Sequence, residues 1–282
     1  MKPFIKWAGG KRSLAEQISS ILGPIPDGAT YFEPFLGGGA MLLYIQPHKA
    51  ECFDINRELI NLYNVVKEQP TLLLETLRED HFAKHCPSHY YDVRNLDRNL
   101  DEFAQMTPVQ RAARFLYLNK TCYNGLWREN GNGQNNVPLG RYKNPCVIAD
   151  DEVMAVSRYF HDSDIKFHNI DYKSILEYAK AGDVVYFDPP YDIEESQNGF
   201  VAYARGGFFR DEQLQLKETC DNLVKRGVLV AVSNSNTEYI RTIYSEGPVR
   251  YEFHDDICAR RSIGSRTGSR KSIKELLIIG RP

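Results

Sequence analysis

The sequence predicts an α/β fold interrupted by a long helical insertion, and three observations predict it. A short apolar run, Ala29 to Phe32, ends in Glu33-Pro34-Phe35 and leads through Gly37-Gly38-Gly39 into an apolar helix start, Ala40 to Ile45. A second short strand, Lys49 to Phe53, follows and is terminated by Asp54. The pattern then lapses, over an insertion of about ninety residues, into polar helical stretches, and strands reappear at Asp183 to Phe187. Beyond them come a helix from Asp211 to Arg226, with Leu216, Cys220, Leu223 and Val224 inward, and a strand at Val228 to Val232. Two further strands, Val249 to Ile257 and Ile273 to Ile279, flank the loop Ala259 to Ser272.

Several elements carry their own local signals. Asn56 is suited to cap the helix in which Leu59, Ile60, Tyr63 and Val66 recur at helical spacing. Within the insertion, the aromatic and Asn/Gly-rich stretch Tyr123 to Tyr142 has the turn chemistry of a long hairpin. The loop after Ile257 holds Arg260, Arg261, Arg266, Arg270 and Lys271 with no acid, amid glycine and serine, as expected of a segment that orders on a phosphate backbone.

Composition narrows the function classes. A chain of 282 residues accommodates two units, and its 42% hydrophobic and 26% charged residues are those of a globular protein. No run approaches the roughly 18 apolar residues of a membrane span. The start Met1-Lys2-Pro3-Phe4 lacks a secretory apolar stretch, so an intracellular protein is expected. Six cysteines without a Cys-x-x-Cys pair argue for reduced thiols rather than a zinc ribbon or disulfide scaffold. His81 and His85 share a helical face near Cys86 and His89, but Pro87 breaks the helix before His89 and no acid is placed to orient the imidazoles, so a polar helix end is expected, not a metal site. The net charge of -2 hides a gradient: between Val109 and Pro145, Arg111, Arg114, Lys120, Arg128, Arg141 and Lys143 face Glu129 alone. Such a basic segment suits a polyanion binder.

Two motifs carry chemistry. A glycine turn leaving a first strand brings backbone close to a ligand, and an acid ending the second strand can take both hydroxyls of a ribose. Gly37 and Asp54 have that relation; alone, they also describe an ordinary tight turn and a helix cap. Glu33, just before the turn, would repel phosphates and attract an ammonium, which favours an amino-acid-bearing nucleoside such as S-adenosylmethionine over NAD. The second motif is Asp188-Pro189-Pro190-Tyr191, directly after Val184-Val185-Tyr186-Phe187. Ligands of open parallel sheets bind at the carboxyl ends of strands. Two prolines remove two backbone donors and stiffen the turn, and its carbonyls are expected to point outward as acceptors. A carboxylate and a fixed carbonyl can hold both N–H groups of an aryl amine so that its nitrogen faces an electrophile, while Tyr191 stacks on the ring.

With these motifs in this order, the chain resembles the Dam-type DNA adenine-N6 methyltransferases over nearly its whole length. Lys6-Trp7-Ala8-Gly9-Gly10-Lys11 is similar to that family's N-terminal block, Glu33-Pro34-Phe35-Leu36-Gly37-Gly38-Gly39 to its cofactor loop, and Asp54-Ile55-Asn56 to its ribose-binding acid. Asp171-Tyr172 resembles the acid that reads the cofactor's adenine. The resemblance implies a Rossmann-like S-adenosylmethionine-dependent methyltransferase sheet, seven-stranded with one antiparallel strand, and an inserted helical target-recognition domain carrying a β-hairpin. It divides the chain into a catalytic domain, 1–57 and 147–282, and a recognition domain, 58–146, with the hairpin at about 122–143. S-adenosylmethionine is then expected on Trp7, Ala8, Gly9, Lys11, Glu33, Phe35, Gly37, Gly39, Asp54, Ile55, Asp171, Tyr172 and Asp188, with catalysis by Asp188, Pro189, Pro190 and Tyr191.

Tyr123-Asn124-Gly125-Leu126-Trp127-Arg128 and Asn136-Val137-Pro138-Leu139-Gly140-Arg141-Tyr142-Lys143 resemble the recognition hairpin of members that methylate GATC. Arg128 can donate two hydrogen bonds to guanine O6 and N7, and Leu126 can press on a thymine methyl; the bland reading is a solvated or phosphate-bound Arg128. Lys6, Tyr123, Asn124, Leu126, Arg128, Pro138, Tyr142, Lys143, Arg260 and Arg266 are the expected DNA-binding residues. The resemblance implies direct transfer to a flipped adenine of double-stranded DNA, without a metal, by a monomer in the cytoplasm of a bacterial or phage-infected cell. A cytosine-N4 methyltransferase and a DNA-binding module without catalysis are the alternatives, disfavoured by the hairpin and by the intact motifs respectively.

Overall fold

The first apolar run folds as β1 (Tyr31–Glu33), behind the helix α1 (Ala15–Leu22). The protein is described from a computed structural model over residues 1–143, 145, 147, 149–192, 208–258 and 274–282, without the side chains of Asp256, Cys258 and Lys274. Cys146 and the basic loop expected from Ala259 to Ser272, with Arg260 and Arg266, lie outside these residues. After β1 come α2 (Ala40–Ile45), β2 (Lys49–Phe53), α3 (Arg57–Glu68), α4 (Pro70–Thr76), α5 (Pro87–Asn95), α6 (Leu100–Gln105) and α7 (Pro108–Thr121). The chain continues with α8 (Asp150–Asp162), β3 (Asp164–His168), α9 (Ile175–Tyr178), β4 (Val184–Phe187), α10 (Arg210–Lys225), β5 (Leu229–Ser235), α11 (Glu238–Ser245), β6 (Tyr251–Cys258) and β7 (Lys274–Gly280). None of the described helices is long and apolar enough to cross a membrane.

The strands form one seven-stranded sheet of order β3-β2-β1-β4-β5-β7-β6. Pairs β2/β1, β1/β4 and β4/β5 are parallel, and β7 runs antiparallel to both β5 and β6, so a Rossmann-like methyltransferase sheet with one reversed strand is what forms. Strands reappear earlier than expected. β3 lies at Asp164–His168, where Ile165 and Phe167 are buried between exposed Asp164 and Lys166, an alternation too short to stand out from the preceding helix.

The chain divides into two compact units. One contains residues 11–36, 49–53 and 170–282. Its core gathers Phe32, Phe53, Val185, Phe187, Val230, Val232, Leu276 and Ile278 with Leu216, Cys220, Leu223 and Val224 of α10, the inward face its spacing predicts. β4 is buried along its whole length, as a central parallel strand between covered faces must be. Parallel pairing of β2, β1 and β4 brings their last residues, Phe53, Glu33 and Phe187, to the same edge of the sheet.

The other unit contains residues 1–10, 37–48 and 54–169. Asn56 caps α3 by accepting from the Leu59 amide. The expected hairpin has antiparallel bridges Cys122/Leu139 and Glu129/Asn135 joining its arms, with no continuous strand among the described residues. The basic segment is partly structural: Arg111 pairs with Glu58, and Arg114, 1% exposed, lies 2.8 Å from Asp97 and donates to the carbonyls of Val93 and Arg94. Asp97 also accepts from the amide of Asn135 at 2.8 Å, which fastens the segment carrying Arg128. Pro87 opens α5, and the rings of His81, His85 and His89 pack around Tyr117.

Asp97→Ala leaves a buried guanidinium without its counter-charge. It is expected to lower unfolding free energy by about 3 to 5 kcal/mol. Urea denaturation of both proteins measures this, and a loss below about 1 kcal/mol would show that Arg114 needs no counter-charge.

Candidate active site

Asp188 follows the last residue of β4, so the strand's rigidity sets the position of its carboxylate. The Lys11 ammonium lies 2.9 Å from Asp188 Oδ1 and 3.8 Å from Glu275 Oε2, and the lysine side chain is itself buried. Tyr191 donates its hydroxyl to Glu275 Oε2 at 2.9 Å, and its ring centroid is 4.6 Å from Lys11 Nζ. Burial, aided by the charge of Glu275, pushes the Asp188 carboxyl up to about 6 against the pull of Lys11 toward the ionised form. The Tyr191 phenol is held far above its ordinary range, by burial first and then by the two carboxylates, so it acts as a donor.

The carbonyls of the turn do not both point outward as expected. Pro190's oxygen accepts from Gln213 Nε2 of α10 at 2.8 Å. Pro189 is buried and Pro190 exposed. At the neighbouring strand end, Glu33 is 3% exposed and accepts from Tyr31 at 3.3 Å. Phe35 stacks on Tyr172 at 5.1 Å and meets Phe187 edge-on. The Tyr172 hydroxyl is buried with no hydrogen-bond partner among the described residues, whereas Asp171 is exposed and caps the following turn through the Lys173 amide.

In the other unit the glycine turn and the acid meet directly. Asp54 Oδ2 accepts from the Gly37 amide at 3.0 Å and Oδ1 from the Asn56 amide at 2.9 Å. Burial raises the Asp54 carboxyl and these two amides lower it. Gly37 has φ +47°, and a Cβ there would stand 2.7 Å from the Trp7 ring, so the turn admits no side chain. Gly39, at φ 61°, precedes α2. Ala8 and Gly9 are exposed in a turn closed by the Gly10 amide on the Trp7 carbonyl, and Ile55 is 75% exposed beside Asp54.

Apart from Arg260 and Arg266, which lie outside the described residues, the predicted DNA-facing residues belong to this unit. Tyr123, Asn124, Arg128, Pro138, Tyr142 and Lys143 are exposed and Leu126 is half-buried. Lys6 Nζ lies 4.0 Å from the Tyr142 ring centroid. Arg128 donates Nε to Asn136 Oδ1 at 2.7 Å. Fully buried Asn119 accepts from the Lys6 amide and donates to its carbonyl and to that of Gly125, pinning both segments.

Sequence reasoning missed Asn119, Gln213, Asn234 and Glu275. Gln213 had a signal: it lies three residues before Leu216, on the apolar face of α10, where an amide requires a partner.

The family model of D12 class N6 adenine-specific DNA methyltransferases matches residues 7–258. Type II methyltransferase M1.LlaDCHI of Lactococcus lactis subsp. cremoris is 36% identical over 279 residues, spanning 99% of this chain and 95% of that protein. Type II methyltransferase M.MjaIII of Methanocaldococcus jannaschii is 36% identical over 295 residues, with 99% of each covered. DNA adenine methylase of Escherichia coli K12 is 35% identical over 283 residues, spanning 100% of this chain and 96% of its own. Matched over residues 7–258 by the family model and over nearly its whole length by relatives at least 35% identical, the chain belongs to the D12 class N6 adenine-specific DNA methyltransferases.

Proposed function

We propose that this DNA adenine-N6 methyltransferase takes its methyl group from S-adenosylmethionine and delivers it directly to an adenine flipped out of duplex DNA, within GATC. The observation that carries the reading is the Lys11-held carboxylate of Asp188 at the end of a fully buried strand, followed by two prolines and Tyr191. The ionised carboxylate accepts an N–H of the amine and a carbonyl of the turn accepts the other. Nitrogen is thereby oriented, and Tyr191 supplies a stacking face. Lys11 keeps Asp188 charged in a site whose burial favours the neutral acid.

The residues present fit the cofactor. The buried Tyr172 hydroxyl, without a partner among the described residues, is suited to a polar ligand, and Asp54 beside exposed Ile55 offers a carboxylate and an apolar cover. Asp54 would hold the ribose, and Glu33 the amino-acid ammonium. Trp7, Ala8, Gly9, Lys11, Phe35, Gly39 and Asp171 complete the proposed set. When bound, the sulfonium supplies an electrophilic methyl carbon and leaves as a neutral thioether, so no Lewis acid is required. The GATC assignment rests on the likeness of 123–128 and 136–143 to the recognition hairpins of GATC readers, and on the exposure of Arg128.

Asp188→Ala should abolish transfer. Because the carboxylate is the working form, the wild-type rate is expected to decline as pH falls through about 6. Lys11→Met removes the charge that lowers this value, so its limb should move to higher pH; pH profiles of both enzymes test this, and an unmoved limb would detach Lys11 from Asp188. Full activity in excess EDTA is the expected result for the metal-free reading, which a divalent-dependent recovery after chelation would overturn. Arg128→Ala should cost about 1 to 3 kcal/mol and relax discrimination at one base pair, whereas Arg266→Ala should weaken all sequences alike and flatten the salt dependence. Rates on GATC and its single-base variants at two salt concentrations separate them; a uniform loss for Arg128→Ala would make it a phosphate anchor.

A further inference from the structure

We propose that Gln213 and Asn234 are positioning residues for methyl transfer, a buried amide pair that fixes the aim of the Asp188–Tyr191 turn. The inference rests on the reading that this turn holds the amine. Pro189 and Pro190 have no N–H, so the turn has few backbone donors with which to brace itself. The bracing comes from outside. Gln213 Nε2 of α10 donates to the Pro190 carbonyl at 2.8 Å, and Asn234 Nδ2 of β5 donates to Gln213 Oε1 at 3.0 Å. Asn234 Oδ1 accepts from the Asp192 amide at 3.1 Å, so three hydrogen bonds run from the carbonyl on one side of Tyr191 to the amide on the other.

The direction of this relay is fixed. Asn234 Oδ1 also accepts from the Ser235 amide at 2.8 Å, and two backbone N–H groups on one atom require it to be oxygen. Asn234 must then donate to Gln213, and Gln213 must donate to Pro190. Both side chains are 0% exposed. A buried amide is costly unless every polar atom is paired, and apolar residues at these positions would pack the core without that demand. What the pair adds is a fixed carbonyl at Pro190 and a fixed amide at Asp192. Asp192 is further tied by Ser235 Oγ on its carbonyl and Thr237 Oγ1 on its carboxylate, each at 2.6 Å.

Gln213→Glu keeps shape and acceptors but, as a carboxylate, turns an oxygen toward the Pro190 carbonyl. Asn234→Asp makes Gln213 reverse, with the same result. Steady-state kinetics of both, with S-adenosylmethionine and duplex DNA, are expected to show kcat reduced on the order of 100-fold while KM for each substrate stays within about threefold of wild type. A purely structural role would lower the melting temperature and leave kcat of the folded enzyme unchanged, and that outcome overturns the proposal. Gln213→Met, uncharged and of similar volume, carries the same test if the acidic variants do not fold. An inactive Asp188→Ala beside a Gln213→Met of wild-type kcat would sink this inference alone, whereas an active Asp188→Ala would sink the reading beneath it.

Discussion

Keeping a carboxylate ionised at the end of a buried strand is the constraint on which the surrounding structure depends. β4 is enclosed on both faces, and Asp188, its immediate continuation, is drawn toward the neutral form by burial. Lys11 opposes this at 2.9 Å, but it is buried too, and two desolvated ions are favourable only where geometry and further hydrogen bonds are good. Glu275 supplies that support at a cost. Its charge neighbours Lys11 and receives the Tyr191 hydroxyl, yet it also raises Asp188. The result is a carboxyl raised to about 6, which is mostly ionised at pH 7 and so able to accept an N–H, yet within reach of its neighbours' influence.

The same physical device recurs wherever an irregular segment leaves the sheet. Loops lack ladder partners, so buried polar side chains supply them. Asp183 accepts from the amides of Thr30 and Lys180 below β4. Asp54 takes the amides of Gly37 and Asn56, and Asn119 holds Lys6 through both its backbone amide and its carbonyl. Each is a polar side chain whose hydrogen bonds are to backbone, and those of Asp54 and Asn119 fix residues of the proposed ligand set.

What could be read from the sequence follows from the range of the interactions. Strands β2, β4, β5 and β7, helix α10 and the Asn56 cap are local patterns, and they form within a residue or a few of their expected bounds. Gly37 and Asp54 were legible as a pair because of their spacing, but the direct hydrogen bond between them was not. Glu275 and Asn234 were not legible, because a single polar residue at a strand end has no period to violate, and its partner lies far along the chain. The inward Pro190 carbonyl was misread for the same reason: proline chemistry explains the missing donors, while the acceptor's direction is set by Gln213 on a helix that follows. Arg114 looked like part of a basic face because charge counts do not distinguish a solvated cation from one paired with Asp97.

The unit that carries Arg128 shows how exposure and rigidity coexist. Trp127 stacks on Phe115 of α7 at 4.0 Å, and Phe115 lies 6.4 Å from the Trp7 ring, which covers Gly37. Aromatic pairs contribute about 0.5 to 1.5 kcal/mol beyond their area, enough to hold a short segment in place but not to organise it alone. Asp97, fastened to Arg114, adds the backbone of Asn135, and Asn119 adds that of Gly125. The two arms are therefore anchored through buried groups and the Asn136 amide on the Arg128 carbonyl, while the Arg128 side chain is exposed and donates to Asn136 Oδ1. A guanidinium so placed can exchange that single neutral partner for a base edge without disturbing the anchors, so discrimination need not be gained at the expense of the fold.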